Sequence, residues 1–412
     1  MNTPDVNELA RELQARSQDV AGHHPIDLAG VKRRARQIRR RRTVVTSAVA
    51  ALAVAAVAPA GLVLSGVVTT LEGPDRPPIA GEPSPTSTSS PASTSDGEQR
   101  SQGTTRLSLD GLERGENPRI PYLDRKTLVT PDGKRVALDG AYSWITPYAR
   151  GWLVGSWGES GSELTFLDAD GSAQRSQPGS QAVVDASGTF VAYVAAEGAS
   201  EEPQLVIAPT MGSEGAKVQI PVDPSATPVG FLSEDDVVYK IETDDGQEGT
   251  FIAHAPRTSE QVPGVLRAWS ATGHGLIAAM TRQQDFGSCS AVIEADGFDR
   301  RWETCDFSLG AFSADARYVL GTDPFLDGVG QSQVAILDAR SGEVVAHYQK
   351  RDSDAVYVNN MVWEDRTHVL ATVFDDGRWA VVRMDTNGGM ELATDPVRGS
   401  DVDCPFFFSL QP

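Results

Sequence analysis

Six times between Tyr148 and Val373 the chain repeats one pattern, a polar turn followed by a short apolar run. The runs occupy 148–157, 185–194, 233–242, 271–280, 313–322 and 364–373. Anchored on Trp152, Phe190, Val237, Leu276, Tyr318 and Val369, their spacings are 38, 47, 39, 42 and 51 residues. The runs are short and rich in Val, Ile, Leu and Tyr, with Gly, Asp and Ser clusters between them, which is the texture of strands rather than helices. A unit of this size cannot bury both faces of its own sheet, so units must stack on one another. A period of 40–50 residues with this texture is that of propeller blades.

The second half of each unit carries the same message. Strand runs lead into acidic or glycine turns at Leu167-Asp168-Ala169-Asp170-Gly171, at Ile293 to Gly297, at Leu337 to Gly342 and at Met384 to Gly388. Asp and Asn bond their own backbone two residues on, and Gly supplies a positive φ, so these turns read as hairpins between the outer strands of a unit. A further hairpin lies at Thr127 to Leu138, and a lone strand lies at Asp403 to Leu410. Joining those two ends in one unit closes a ring and removes its open edges. The expected fold is therefore all-β, an approximately seven-bladed β-propeller over residues 106–412.

At these units the chain resembles the WD40-like propellers of the TolB type. The resemblance rests on Pro131-Asp132-Gly133-Lys134, Asp185-Ala186-Ser187-Gly188 and Ser313-Ala314-Asp315-Ala316. Only the first keeps the full Asp-Gly turn, and no unit ends in the Trp-Asp pair of true WD40 repeats. The match spans residues 118–410 and implies a binding or scaffolding platform.

A different segment governs placement. Thr43 to Leu71 is a stretch of 29 residues without a charge. As a helix it would extend roughly 43 Å, against a hydrocarbon core of about 30 Å. The basic run Lys32 to Arg42 abuts it, whereas the far side opens with Glu72 and Asp75. Cations stay on the cytoplasmic face, so the expectation is a single transmembrane helix at 43–71 with the N-terminus inside. Cleavage as a signal peptide after Ala58-Pro59-Ala60 is the alternative. The tail and span also resemble those of actinobacterial membrane proteins.

Residues 1–42 read as a cytoplasmic basic tail, with an amphipathic helix at 3–20 built on Val6, Leu9, Ala10 and Leu13. The tail is either a lipid-hugging topogenic flank or a docking helix for a cytosolic protein. Residues 72–105 are Pro/Ser/Thr-rich with one large apolar side chain, Ile79, after Leu71 and before Leu107; such a segment is a disordered linker.

Charge narrows the partners. The net charge is −20, but residues 1–42 hold ten Lys/Arg and five Asp/Glu, which leaves −25 for the rest. An acidic mass of that size argues against nucleic acid, whose phosphates need clustered cations. The three cysteines lack metal-site spacing. Cys289 and Cys305 stand symmetrically about Gly297, so a turn centred there sets them opposite each other on adjacent strands. In an oxidising compartment they are expected to form a disulfide, with Cys404 left unpaired.

No Gly-x-Ser-x-Gly elbow is present. His254, His274, His347 and His368 share no ligand spacing, and the Asp pairs at 235–236, 244–245 and 375–376 read as solvated turns rather than calcium loops. No catalytic, cofactor or metal residue is assigned. Trp152 and Trp363 fall in strand runs and are expected to be core, whereas Trp144, Trp157 and Trp269 lie nearer loops and are the candidates for a ligand-facing surface.

The expected function is a membrane-anchored, extracytoplasmic binding or scaffolding module that takes a protein, peptide or glycan and is not an enzyme. Two alternatives remain. One is a transmembrane regulator coupling outer binding to a cytosolic partner, such as a transcription factor, on helix 3–20. The other is a propeller hydrolase or lyase.

Overall fold

The computed structural model describes residues 103–408, apart from 149–150, 159–160, 180, 196–201, 211–217, 244–247, 256–257, 285–286, 326–329 and 352–353. Helix 3–20, the apolar stretch 43–71 and nearly all of the linker 72–105 lie outside the described residues, within which no helix is long and apolar enough to cross a membrane.

Among the described residues the chain folds into seven successive four-stranded antiparallel meanders, two of which share one eight-stranded sheet. Six of them span 144–178, 183–221, 227–261, 267–304, 308–349 and 356–392. The first is assembled from both ends of the domain. Phe406–Phe408 pairs antiparallel with Tyr122–Asp124, Tyr122 opposite Phe408, and Thr127–Val129 and Arg135–Ala137 follow outward. The late strand thus supplies the innermost position of the first blade, which is the closure expected from the sequence.

Apolar clusters fill each interface in turn. Leu123 meets Val154 between the first and second meanders, Phe166 meets Tyr193 between the second and third, and Leu205 meets Val237 between the third and fourth. Ile252 meets Ile277, Val292 meets Val319, and Ile336 meets Val373 at the next three. Val381 and Phe406 then return to the first. The contacts close on themselves, and the arrangement is a propeller.

The six runs aligned in the sequence are the second strands of their blades. His368–Asp375 and Phe190–Ala195 are buried along nearly their whole length because a blade lies on each side. Burying one large aliphatic side chain there contributes roughly 1.5–3 kcal/mol. The turns at Gly171, Gly297, Gly342 and Gly388 have φ of +87°, +79°, +77° and +86°, and they join third to fourth strands. One assignment changes. Pro131-Asp132-Gly133-Lys134 also joins two outer strands, whereas Asp185–Gly188 and Ser313–Ala316 connect the inner pair of their blades. The three turns thus share a residue pattern but not a position.

Residues 105–119 form a strap that crosses the sixth and seventh blades. Thr105–Arg106 pairs in parallel with the outer strand Val344–Gln349. Leu107 and Leu109 then sink into the cluster between these blades. Asp375, expected on a solvated turn, is instead buried and accepts hydrogen bonds from Ser108 Oγ at 2.9 Å and Leu109 N at 2.8 Å. Further along, Arg383 donates to the carbonyls of Glu116 and Asn117 and pairs with Glu364.

Candidate functional site

The innermost strands are Phe406–Phe408, Trp144–Tyr148, Val183–Val184, Thr227–Phe231, Arg267–Thr272, Ser308–Phe312 and Val356–Trp363. Together they enclose a central cavity of about 310 Å³ to which all seven blades contribute lining residues. Its walls are aromatic at Trp144, Phe231, Trp269 and Phe408, and polar but neutral at Asn360 and Gln181. No Asp, Glu, Lys, Arg or His is found among the described lining residues. For a chain with this excess of acids, that neutrality is a marked local departure.

Four consecutive inner strands are irregular. Register shifts fall between Pro228 and Gly230, Ala268 and Ser270, Leu309 and Phe312, and Val358 and Met361. A bulge opposes two residues to one and re-aims the side chain it carries, and bulges concentrate beside functional sites. Here they set Val229, Trp269, Ala311 and Asn360 at the cavity wall. Asn360 is held by its amide, which donates to Thr372 Oγ1 at 3.0 Å and to the Phe406 carbonyl at 3.1 Å.

The fourth and fifth blades approach so closely that their inner strands pair, Gly230 beside Ala271. A Cβ at Gly230 would lie 2.3 Å from the Ala271 carbonyl oxygen, so only glycine allows this approach.

The tryptophans divide differently from expectation. Trp363 is core, as expected, and its Nε1 donates to the Ala311 carbonyl at 3.0 Å. Trp152 packs partly buried against the cluster between the first two blades. Trp144 is 6% exposed, its ring folded across Gly155 on the neighbouring strand, where a Cβ would fall 2.2 Å from the ring. It borders the cavity from within the core rather than from a loop surface. Trp157 lies in the strand Gly151–Gly158, opposite Ser162, and its side chain is outside the described residues. Of the three candidates, Trp269 stands at the cavity wall on a bulge.

Trp269 gathers charges behind it. Lys240 Nζ sits 4.4 Å from the centre of its ring and Arg267 Cζ 5.4 Å. Arg267 reaches Glu248 at 2.7 Å and Glu242 at 3.1 Å. No carboxylate lies within ion-pair distance of Lys240 among the described residues. Burial, reinforced by the Arg267 charge, pulls the Lys240 amine down to about 8. Arg267 Nε and Trp269 Nε1 are both buried and donate to nothing among the described residues. Sequence reading missed this cluster because Lys240, Glu248 and Arg267 come from three separate strands with no common spacing.

On the fifth blade, Cys289 and Cys305 form a disulfide with Cα atoms 4.0 Å apart. The neighbouring pairs Ser290–Thr304 and Ala291–Glu303 show the register that brings them together. Cys404 is a free thiol packed against the cluster of Phe406 and Phe408, and burial pushes it up. The histidines stay apart: His254 pairs with Asp236 at 2.7 Å, His368 with Asp365 at 2.9 Å, and His347 bonds Gln333 at 2.9 Å. Among the described residues no group of three His, Cys, Asp or Glu is placed to hold a metal.

No protein-family model matches this sequence, and no curated protein matches it. Solved structures similar to it include the TolB of Agrobacterium tumefaciens, at 11% identity and TM-score 0.38, over 57% of this chain and 85% of that one. The TolB of Acinetobacter baumannii is similar at 15% identity and TM-score 0.40, over 68% of this chain and 64% of that one. The chain therefore spans a little under two thirds of the latter protein. The dihydro-heme d1 dehydrogenase NirN is similar at 16% identity and TM-score 0.44, over 71% of this chain and 68% of that one. At such identities similarity speaks of fold alone, and here the propeller is established by the strand pairing of the chain itself.

Proposed function

We propose that this chain is a single-span membrane protein whose seven-bladed propeller stands on the outer face of the cell membrane. It binds a protein, peptide or glycan through its central channel and catalyses no reaction. The observation that carries the reading is the channel lining, which draws on all seven blades and holds no charged residue or histidine among those described. General acid–base chemistry needs a titratable group within hydrogen-bond reach of the reacting atom. A concave site of aromatic faces with a few neutral polar groups is instead what recognition uses.

Two features support the location. The uncharged stretch 43–71 behind the Lys32–Arg42 run has the length and flanks of an inside-to-outside span. A disulfide between Cys289 and Cys305 suits an oxidising compartment.

Photo-crosslinking of the full chain in intact cells tests the binding role. Ala314 is an exposed residue at the cavity wall, and Ala314→Arg places a long cation there without disturbing a buried strand. The wild-type chain is expected to capture a reproducible partner, with the yield falling at least severalfold in Ala314→Arg. Equal capture by both chains would move binding away from the channel.

A further inference from the structure

We infer that the channel takes the end of a neutral glycan, a sugar seated against Trp269 with its hydroxyls on Ser270, Thr272 and Asn360. This rests on the channel-binding reading above and names the ligand class that the lining selects.

Several polar atoms of the wall are held in place and unspent. Asn360 commits its amide nitrogen to Thr372 Oγ1 at 3.0 Å and to the Phe406 carbonyl at 3.1 Å. A carbonyl only accepts, so the nitrogen must face it, and the amide oxygen is left with no donor among the described residues. The hydroxyls of the lining residues Ser143, Ser270 and Thr272 likewise have no partner among the described residues. None of these four oxygens is sealed from solvent, so water, or a ligand in its place, reaches them. Two of them belong to bulges: Ser270 closes the shift that begins at Ala268, and Asn360 lies within the one between Val358 and Met361. A bulge re-aims the side chains it carries.

The backbone extends this set. Trp144–Tyr148, Val183–Val184, Ser308–Phe312 and Phe406–Phe408 each end their sheet, so four blades present a strand edge to the channel. Donors and acceptors therefore surround the ligand, and all of them are neutral. A peptide that adds as a strand satisfies its groups along a single edge. A sugar carries hydroxyls around its rim, each both donor and acceptor, and lays its apolar C–H face on an aromatic ring. Trp269, partly exposed at the wall, offers such a ring. The cavity of about 310 Å³ stands at the low end of the roughly 300–1,000 Å³ of small-ligand sites, which suits the end of a glycan. A charged sugar would desolvate its charge against a wall that holds no counter-charge, so the neutral one is selected.

The test uses the full chain in micelles of a zwitterionic detergent that contains no sugar. The probes are the methyl glycosides of glucose, mannose, galactose and N-acetylglucosamine. They are compared with the methyl glycosides of glucuronate and glucosamine, which carry one negative or one positive charge, and with the capped peptide N-acetyl-Ala-Ala-amide. At least one neutral glycoside is expected to raise the melting temperature in a saturable way and to change tryptophan fluorescence. The charged glycosides and the peptide should do neither.

Ser270→Ala and Thr272→Val each remove one hydroxyl and should weaken the responding glycoside by about two- to tenfold, as the loss of one neutral hydrogen bond requires. Ala314→Arg should abolish the response. Ser270 is only partly buried, so Ser270→Ala gives the reading even where Thr272→Val fails to fold. Silent neutral glycosides, charged glycosides that bind as well as neutral ones, or a response unchanged in Ser270→Ala and Ala314→Arg would each overturn the inference. A cellular partner that Ala314→Arg loses, captured by a chain silent to every glycoside, would leave the channel-binding reading standing and remove only the sugar.

Discussion

Arg383 has a side chain only 4% exposed, opposite a Glu364 side chain that is fully buried. Its guanidinium meets Glu364 through two nitrogens, one of them at 2.8 Å, and it also reaches Glu391 and the strap carbonyls of Glu116 and Asn117. A buried ion pair adds little net stability over an apolar replacement, but removing one partner strands the other charge. Arg383→Ala is therefore expected to cost about 3–5 kcal/mol in urea unfolding. A loss below about 1 kcal/mol would mean that Glu364 finds water or protonates.

Lys240 makes a second statement at this scale. Its folded value of about 8 lies below the 10.5 of a free lysine, so between those values the unfolded chain holds more protons than the folded one. Stability consequently rises with pH from about 8 upward. Above pH 10 the tyrosines oppose it. Burial and the Asp401 charge push Tyr357 up to about 12, and burial also raises Tyr348, so both ionise more readily in the unfolded chain. The buried Cys404 thiol, raised from its ordinary 9, opposes the lysine from about pH 9, so a melting-temperature profile should climb from pH 8, flatten above 9 and fall beyond 10. Lys240→Met should flatten the climb and leave the fall, and a climb that persists in Lys240→Met would assign it to another group.

At the scale of elements, the strap is the least anticipated part of the molecule. Residue 105 ends the linker expected from the sequence, yet Thr105 pairs with Tyr348, and Ser108 and Leu109 bond Asp375 across some 266 residues of sequence. Partners that far apart leave no local periodic signal. Leu107 is 1% exposed, so Leu107→Ala should destabilise the domain by about 2–5 kcal/mol, measured by urea unfolding. A strap that merely rests on the surface would lose a few tenths.

The second strands and the Asp-Gly turns were legible for the opposite reason, because each is set by neighbours within ten residues: continuous apolar runs with a blade on both sides, and glycines required by positive φ. Ring closure by Phe406–Phe408 was legible because an unpaired edge is costly wherever it falls. The inner-strand bulges were not, since a bulge is a relation between two strands. The burial of Trp144 was not legible for a related reason: its nearness to a loop is visible in the sequence, but the space above Gly155 that accepts its ring is not. Of the cavity wall, Trp144 and Trp269 were therefore found, and the charged cluster of Lys240 and Arg267 beside Trp269 was missed.

For the whole molecule, the acidic mass and the neutral channel belong together. Asp residues recur because they cap turns: the Asp338 carboxylate accepts from Arg340 N and Ser341 N, and that of Asp385 from Asn387 N and Gly389 N. Repetition of the blade multiplies them, while the inner strands keep the channel free of charge. We propose that this ring stands outside the cell on a tether at 72–105, and limited proteolysis of intact cells tests that proposal most directly. Protease added outside should cut the Pro/Ser/Thr-rich stretch and release a folded fragment that retains Cys289 linked to Cys305. If the carboxy-terminal portion stays attached and uncut in whole cells and is released only after lysis, the propeller faces the cytoplasm, contrary to this proposal.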